Sequence, residues 1–228
     1  MKSSVPPLIQ LIIPLAGILL FVAMYIVAAE YYPGGSDVAK YHSGFDWYNN
    51  YWCDLIARYA KNGEQNPGST LSRAAMVILF SSLSVFWFSL PGFFREAKYI
   101  RIVVGYTGMV AMSVLVFVFT GYHDLIIFVG GALSSIPFLA TLRELYIHRW
   151  RKLYVFGLIC LVLILLNFAI YISGWSISLL PFIQKITLVS FLLWIFLIDF
   201  RCILIRRHKK SLLKKVQPHH SGKSQLSI

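Results

Sequence analysis

LIQLIIPLAGILLFVAMYIVAA, residues 8–29, decides the fold class of this chain. It carries no charged residue. Its length suits an α-helical crossing of a bilayer, which needs about 20 apolar residues. A signal-peptide h-region is shorter, at roughly 7–15 residues, and no A-x-A cleavage site precedes Glu30. The stretch is therefore read as a retained first transmembrane helix.

Five more apolar blocks follow, over about residues 74–90, 102–121, 125–142, 153–172 and 182–200. The whole chain has 228 residues, 58% hydrophobic and 13% charged, with mean hydropathy +0.70. Soluble domains carry about 25% charged residues. The expectation is an all-α polytopic membrane protein. A six-transmembrane-helix bundle occupies residues 1–205, a long structured outer loop spans 30–73, and a basic cytoplasmic tail spans 206–228. Pro33-Gly34-Gly35, Asn62-Gly63, Asn66-Pro67-Gly68 and Pro91-Gly92 supply turn signals between blocks. Ser69 or Thr70 is the expected N-cap of the second helix.

The basic residues orient the bundle. Arg95, Lys98 and Arg101 lie in the second loop; Arg143, Arg149, Arg151 and Lys152 lie in the fourth; the tail adds Arg206, Arg207, Lys209 and Lys210 among others. The opposite side has only Lys40, Arg58, Lys61, Arg73 and Lys185. The positive-inside rule then gives N-in, C-in, with the 30–73 loop outside. The net charge of +12 belongs to these flanks and not to a nucleic-acid surface. A juxtamembrane basic tail attracts anionic lipid head groups.

GFDWYNNYWCDLIARY, residues 44–59, is the most informative polar stretch. Helical spacing puts Asp46, Asn50, Asp54 and Arg58 on one face and Tyr48, Trp52, Ile56 and Tyr59 on another, with Trp47, Tyr51 and Leu55 widening the apolar side. The expectation is an amphipathic helix at the membrane–water boundary, where Trp and Tyr rings bury while their polar atoms stay wet. The plainest role is to cap the bundle, with Asp54 paired to Arg58. A sharper role uses Asp46, Trp47, Asn50, Trp52 and Asp54, with His123 and Asp124 on the same side, as a ligand-binding face for a lipid or other amphiphile. An alternative holds zinc or calcium on Asp46, Asp54 and His123, for a membrane-embedded hydrolase or transferase acting on a lipid. Without that alternative, no cofactor is expected. Cys53 is the one cysteine in a loop; Cys160 and Cys202 fall in apolar blocks, and no C-x-x-C exists.

Elsewhere, Gly130/Ser134 and Gly131/Ser135 form small-xxx-small pairs suited to close helix packing, and Asn167 is expected to bond a neighbouring helix. Trp175 is an expected interface anchor.

Asn50-Tyr51-Trp52-Cys53-Asp54-Leu55, followed by Asn66-Pro67-Gly68 and by Gly121-Tyr122-His123-Asp124, resembles an uncharacterised bacterial family of six-helix membrane proteins. That family is a domain of unknown function, distantly similar to the DRAM autophagy-modulator proteins. The resemblance implies six helices and a bacterial inner (plasma) membrane, and no activity. Asp46-Trp47, with Asn50-Tyr51 after it, is also similar to the Asp-Trp loop of alkaline ceramidases. That similarity implies calcium in the loop and a zinc held by intramembrane histidines. The sixth block has no histidine, so such a zinc would depend on His42, His123 and a carboxylate.

Overall fold

The structure is a computed structural model that describes residues 6–216. It is helical throughout its apolar parts. The helices are α1 (Leu8–Glu30), α2 (Ser69–Ser89), α3 (Lys98–Leu115), α4 (His123–Ile147), α5 (Arg151–Ser173) and α6 (Leu180–Val216). Short 3-10 turns extend α2 over Leu90–Phe93 and α3 over Val116–Phe119, and lead into α6 over Ile177–Leu179. All six helices are long and apolar enough to cross a membrane.

Each helix packs on its neighbour in the chain, and α6 returns to α1, so the six close into a ring. Trp87, Trp194, Tyr25, Phe21, Phe86 and Leu79 fill the interior and are almost fully buried. The outward faces are as apolar as the core: Leu19, Val162, Leu165 and Ile172 are all more than half exposed. Such a continuous apolar flank suits lipid, since water would tolerate only patches of a few hundred Å². Asn167 donates to Leu163 O in its own helix and to Thr187 Oγ1 on α6, so the one strongly polar residue of the apolar block 153–172 ties two helices together as expected.

Several boundaries differ from the hydropathy reading. α2 begins at Ser69, so neither Ser69 nor Thr70 caps it. Its N-cap is Gly68, whose N–H donates to Asn66 Oδ1 at 3.0 Å. The fourth apolar block starts earlier than residue 125: His123 and Asp124 are the first residues of α4. α6 runs without a break past residue 206, so the first part of the expected tail continues the sixth helix; residues 217–228 lie outside the described residues. Hydropathy fails at these ends because amphipathic first and last turns carry too few apolar side chains to register.

The largest difference is in the 44–59 stretch, which is no amphipathic α-helix. It forms a turn around Asp46–Asn50 and a 3-10 turn over Trp52–Ile56. The cause is local. Asp46 Oδ1 accepts the N–H groups of Tyr48 and Asn49 at 2.9 and 3.1 Å, an arrangement that competes with helical hydrogen bonding.

Close packing of α1 on α2 depends on Gly17. A Cβ there would lie 2.3 Å from Ser82 Cβ. Gly131, although part of a small-xxx-small pair, has nothing within 4 Å of its missing Cβ, whereas Gly130 faces Leu115. Gly17→Ala is therefore expected to destabilise the protein by about 1–3 kcal/mol. Gly131→Ala should stay within about 0.5 kcal/mol of wild type. Reversible unfolding in mixed micelles reads both values.

Candidate functional site in the loop cap

Residues 31–68 join α1 to α2 and fold over one end of the ring, called here the loop end. The segment lacks regular strands, so its backbone groups need individual partners. Gly34 bridges to Ser43, and Gly35 N–H donates to His42 O at 2.8 Å. Gly35 has φ +83°, and a Cβ there would lie 2.4 Å from Asn62 N, so the position needs glycine. Two buried asparagines do most of the stitching. Asn66 Nδ2 donates to Leu55 O and Ala57 O, both at 3.1 Å, while its N–H reaches Arg58 O.

Asn50 is fully buried and sits at the centre. Its Oδ1 accepts Asp46 N–H at 2.9 Å. Its Nδ2 donates to Gly35 O at 2.7 Å and to Asp54 Oδ2 at 2.9 Å. Its backbone carbonyl accepts Lys185 Nζ from α6, which also donates to Pro181 O at 3.1 Å and lies over the Phe45 ring. Asp46, Asn50 and Asp54 thus do come together, but as a ladder turned into the cap and not as a solvent-facing stripe. Asp54 is not paired with Arg58. It faces Lys61 at 3.7 Å, and Arg58 lies over the Tyr59 ring.

The two carboxylates feel opposite balances. Burial alone would raise Asp46. The Asn49 side chain and the N–H groups of Tyr48 and Asn49 outweigh it and hold its carboxyl below the usual range. Burial raises Asp54, and the Asn50 amide, the Lys61 ammonium and the Tyr51 N–H oppose it without cancelling it.

The aromatic residues divide between core and rim. Trp52 packs edge-on against Tyr25 of α1, with ring centroids 5.2 Å apart. Trp47 meets Phe45 and Trp52 edge-on yet remains 48% exposed; Tyr48 stacks on Phe182 of α6 at 4.9 Å and remains 47% exposed.

His123 does not reach Asp46 or Asp54 by any hydrogen bond or ion pair among the described residues. Its Nε2 lies 3.1 Å from Cys53 Sγ, and its Nδ1 lies 3.0 Å from Asp124 Oδ1. Among the described residues, no group of three His, Cys, Asp or Glu side chains is placed to hold a metal ion. Cys53 and Lys185 are the members that a spacing argument misses. Lys185 left a trace as the one charged residue early in the sixth block. Cys53 left only its place in the loop, because its partner is 70 positions away.

Asn50→Ala removes three side-chain hydrogen bonds inside the cap. At about 1–3 kcal/mol for each polar group left unsatisfied, partly relaxed, the loss should be about 2–4 kcal/mol, read by denaturant unfolding followed through Trp fluorescence. A pH titration separates the carboxylates. The depressed Asp46 contributes stability above its unfolded pKa of about 3.9, lost as pH falls through the lower folded value. The raised Asp54 works the other way, favouring the fold more as it protonates. Asp46's contribution to cap stability should be lost as pH falls below about 4, and Asp46→Asn should flatten that loss.

No protein-family model, no curated protein and no solved structure matches this chain.

Proposed function

We propose that the protein is a six-span membrane protein, both termini inside, that binds a lipid or other amphiphile at its outer face. The observation that carries this reading is the pair of half-exposed rings on the cap, Trp47 and Tyr48, the latter stacked on Phe182 of α6, a helix that itself exposes Val189, Leu193 and Leu197. An amphiphile fits that junction: its chain lies along the flank, and its head group meets rings that are apolar in body and polar at the tip. Head-group contact falls to the rim and to the exposed His123 and Asp124 at the same end of the bundle. The polar atoms of Asn50 and Asp54, and the Asp46 carboxylate, have partners inside the cap.

Besides the basic tail, a second feature suits an anionic lipid. At the other end of the ring, Lys98 and Arg101 flank a cleft of about 190 Å³ between α2 and α3, closed by Phe88, Pro91 and Tyr106. A phosphate-bearing head group suits that charge and size. The bacterial inner membrane is the location proposed, on the sequence resemblance.

The lipid-transforming reading is favoured by one observation, the Cys53–His123 contact. In its metal form it would need Asp46 and Asp54 to exchange their present hydrogen bonds for a cation.

Native mass spectrometry of the detergent-purified protein tests the proposal. Trp47→Ala combined with Tyr48→Ala should lower retained lipid at least severalfold, while Asp46→Asn should leave it unchanged. Lys98→Gln with Arg101→Gln should lower anionic lipid selectively. Wild-type lipid retention in the Trp47/Tyr48 double variant would contradict binding at the rim.

A further inference from the structure

We propose that Cys53, His123 and Asp124 form a nucleophilic relay that takes an acyl group from an amphiphilic ester or thioester at the loop end. The substrate class rests on the amphiphile reading above; the relay rests on its own geometry.

Three side chains from two distant parts of the chain meet in the order that nucleophilic catalysis requires. A thiol lies within hydrogen-bond reach of a base, and a carboxylate orients that base. Cys53 Sγ is 3.1 Å from His123 Nε2, and Asp124 Oδ1 is 3.0 Å from Nδ1. With Asp124 accepting from Nδ1–H, the Nε2 lone pair is directed at the thiol. His123 is one-third exposed and Asp124 mostly exposed, so that end of the relay is open rather than sealed in the core. Burial, with Asp54 and Asp124 adding to it, pushes the Cys53 thiol up to about 12. The sulfur therefore holds its proton at rest and needs the base beside it.

A second set of atoms supplies unused hydrogen-bonding capacity near the relay. Tyr25 Oη, Trp52 Nε1 and Thr120 Oγ1 are buried at this end of the bundle, each without a hydrogen-bond partner among the described residues. Tyr25 and Trp52 are in ring contact, Trp52 precedes Cys53 in the chain, and Thr120 lies in the turn that leads to His123. Buried donors left unpaired cost about 1–3 kcal/mol each. An acyl carbonyl or its oxyanion would give them an acceptor. The first N–H groups of α4, at His123 and Asp124, have no intrahelical acceptor either.

The step balances without an oxidant. Cys53 Sγ attacks the acyl carbon and its proton passes to His123 Nε2. The tetrahedral oxyanion collapses, the bond to the leaving oxygen or sulfur breaks, and that atom takes the proton from His123. Cys53 is left as a thioester. Water or an acceptor alcohol then attacks the thioester carbonyl, gives its proton to His123, and releases the acid or new ester as the proton returns to sulfur. A disulfide cycle within one chain is disfavoured, since Cys160 and Cys202 are buried in α5 and α6.

The test incubates the detergent-purified full chain with p-nitrophenyl decanoate or p-nitrophenyl acetate, with intact-mass and peptide-mass readout. The expected result is one hydroxylamine-labile decanoyl group on Cys53, absent in Cys53→Ser. His123→Ala should slow acylation by about 100-fold, with partial rescue by added imidazole, which a merely structural role would not give. Asp124→Asn should slow it by about 10-fold, as a positioning residue. Thermal unfolding in the same detergent identifies any variant that fails to fold, and the imidazole rescue is scored only on folded protein. No adduct on Cys53, or undiminished acylation in His123→Ala, would overturn the relay while leaving lipid retention intact. Equal rates with acetate and decanoate would overturn the amphiphilic substrate class and leave the thiol chemistry standing.

Discussion

The loop end of this protein depends on one buried amide. Asn50 is the point at which the Asp46 turn, the Gly35 corner, the 3-10 turn at Asp54 and the sixth helix at Lys185 meet. A connection without helix or strand can stay ordered only if its backbone groups find partners one by one. Asn50 and Asn66 supply those partners from their side chains, and Lys185 fastens the result to α6. The cation is buried and has carbonyl oxygens and a ring face around it, so the cap and the bundle stabilise each other.

That constraint also fixes where the chemistry-bearing residues stand. The 3-10 turn held by Asp54 presents Trp52 to α1 and Cys53 toward the start of α4. There α4 begins with His123, shortly after the 3-10 turn Val116–Phe119 that extends α3. The aromatic rim is set in the same way: Tyr48 follows the Asp46 turn and lands on Phe182. The aromatic rim and Cys53 thus stand on the same loop because one polar network orders it.

Much of the bundle was legible from hydropathy alone. A block such as 153–172 differs from α5 by only a residue or two, since no polar residue interrupts it except Asn167, and that residue makes the interhelical bond its isolation implied. The loop was legible in content but not in form. Asp46, Asn50 and Asp54 at intervals of four look the same whether they line a helix or link an Asp-headed turn to a 3-10 turn. The side-chain hydrogen bonds of Asp46 decided between the two, and periodicity does not register them. The Cys53–His123 pair had no signal at all, because a contact between the 31–68 loop and the start of α4, 70 positions away, is a product of the fold and not of spacing.

Amide hydrogen exchange of the protein in detergent tests the central claim most directly. If the cap is one cooperative unit pinned at Asn50, the amides of Asn50, Asp54, Ala60 and Asn66, which bond to Asp46 O, Tyr51 O, Glu64 O and Arg58 O, should exchange slowly and as a group. They should lose protection together in Asn50→Ala while α1 and α2 keep theirs. Fast exchange of these amides in the wild-type protein, or their independent behaviour in the variant, would contradict the account.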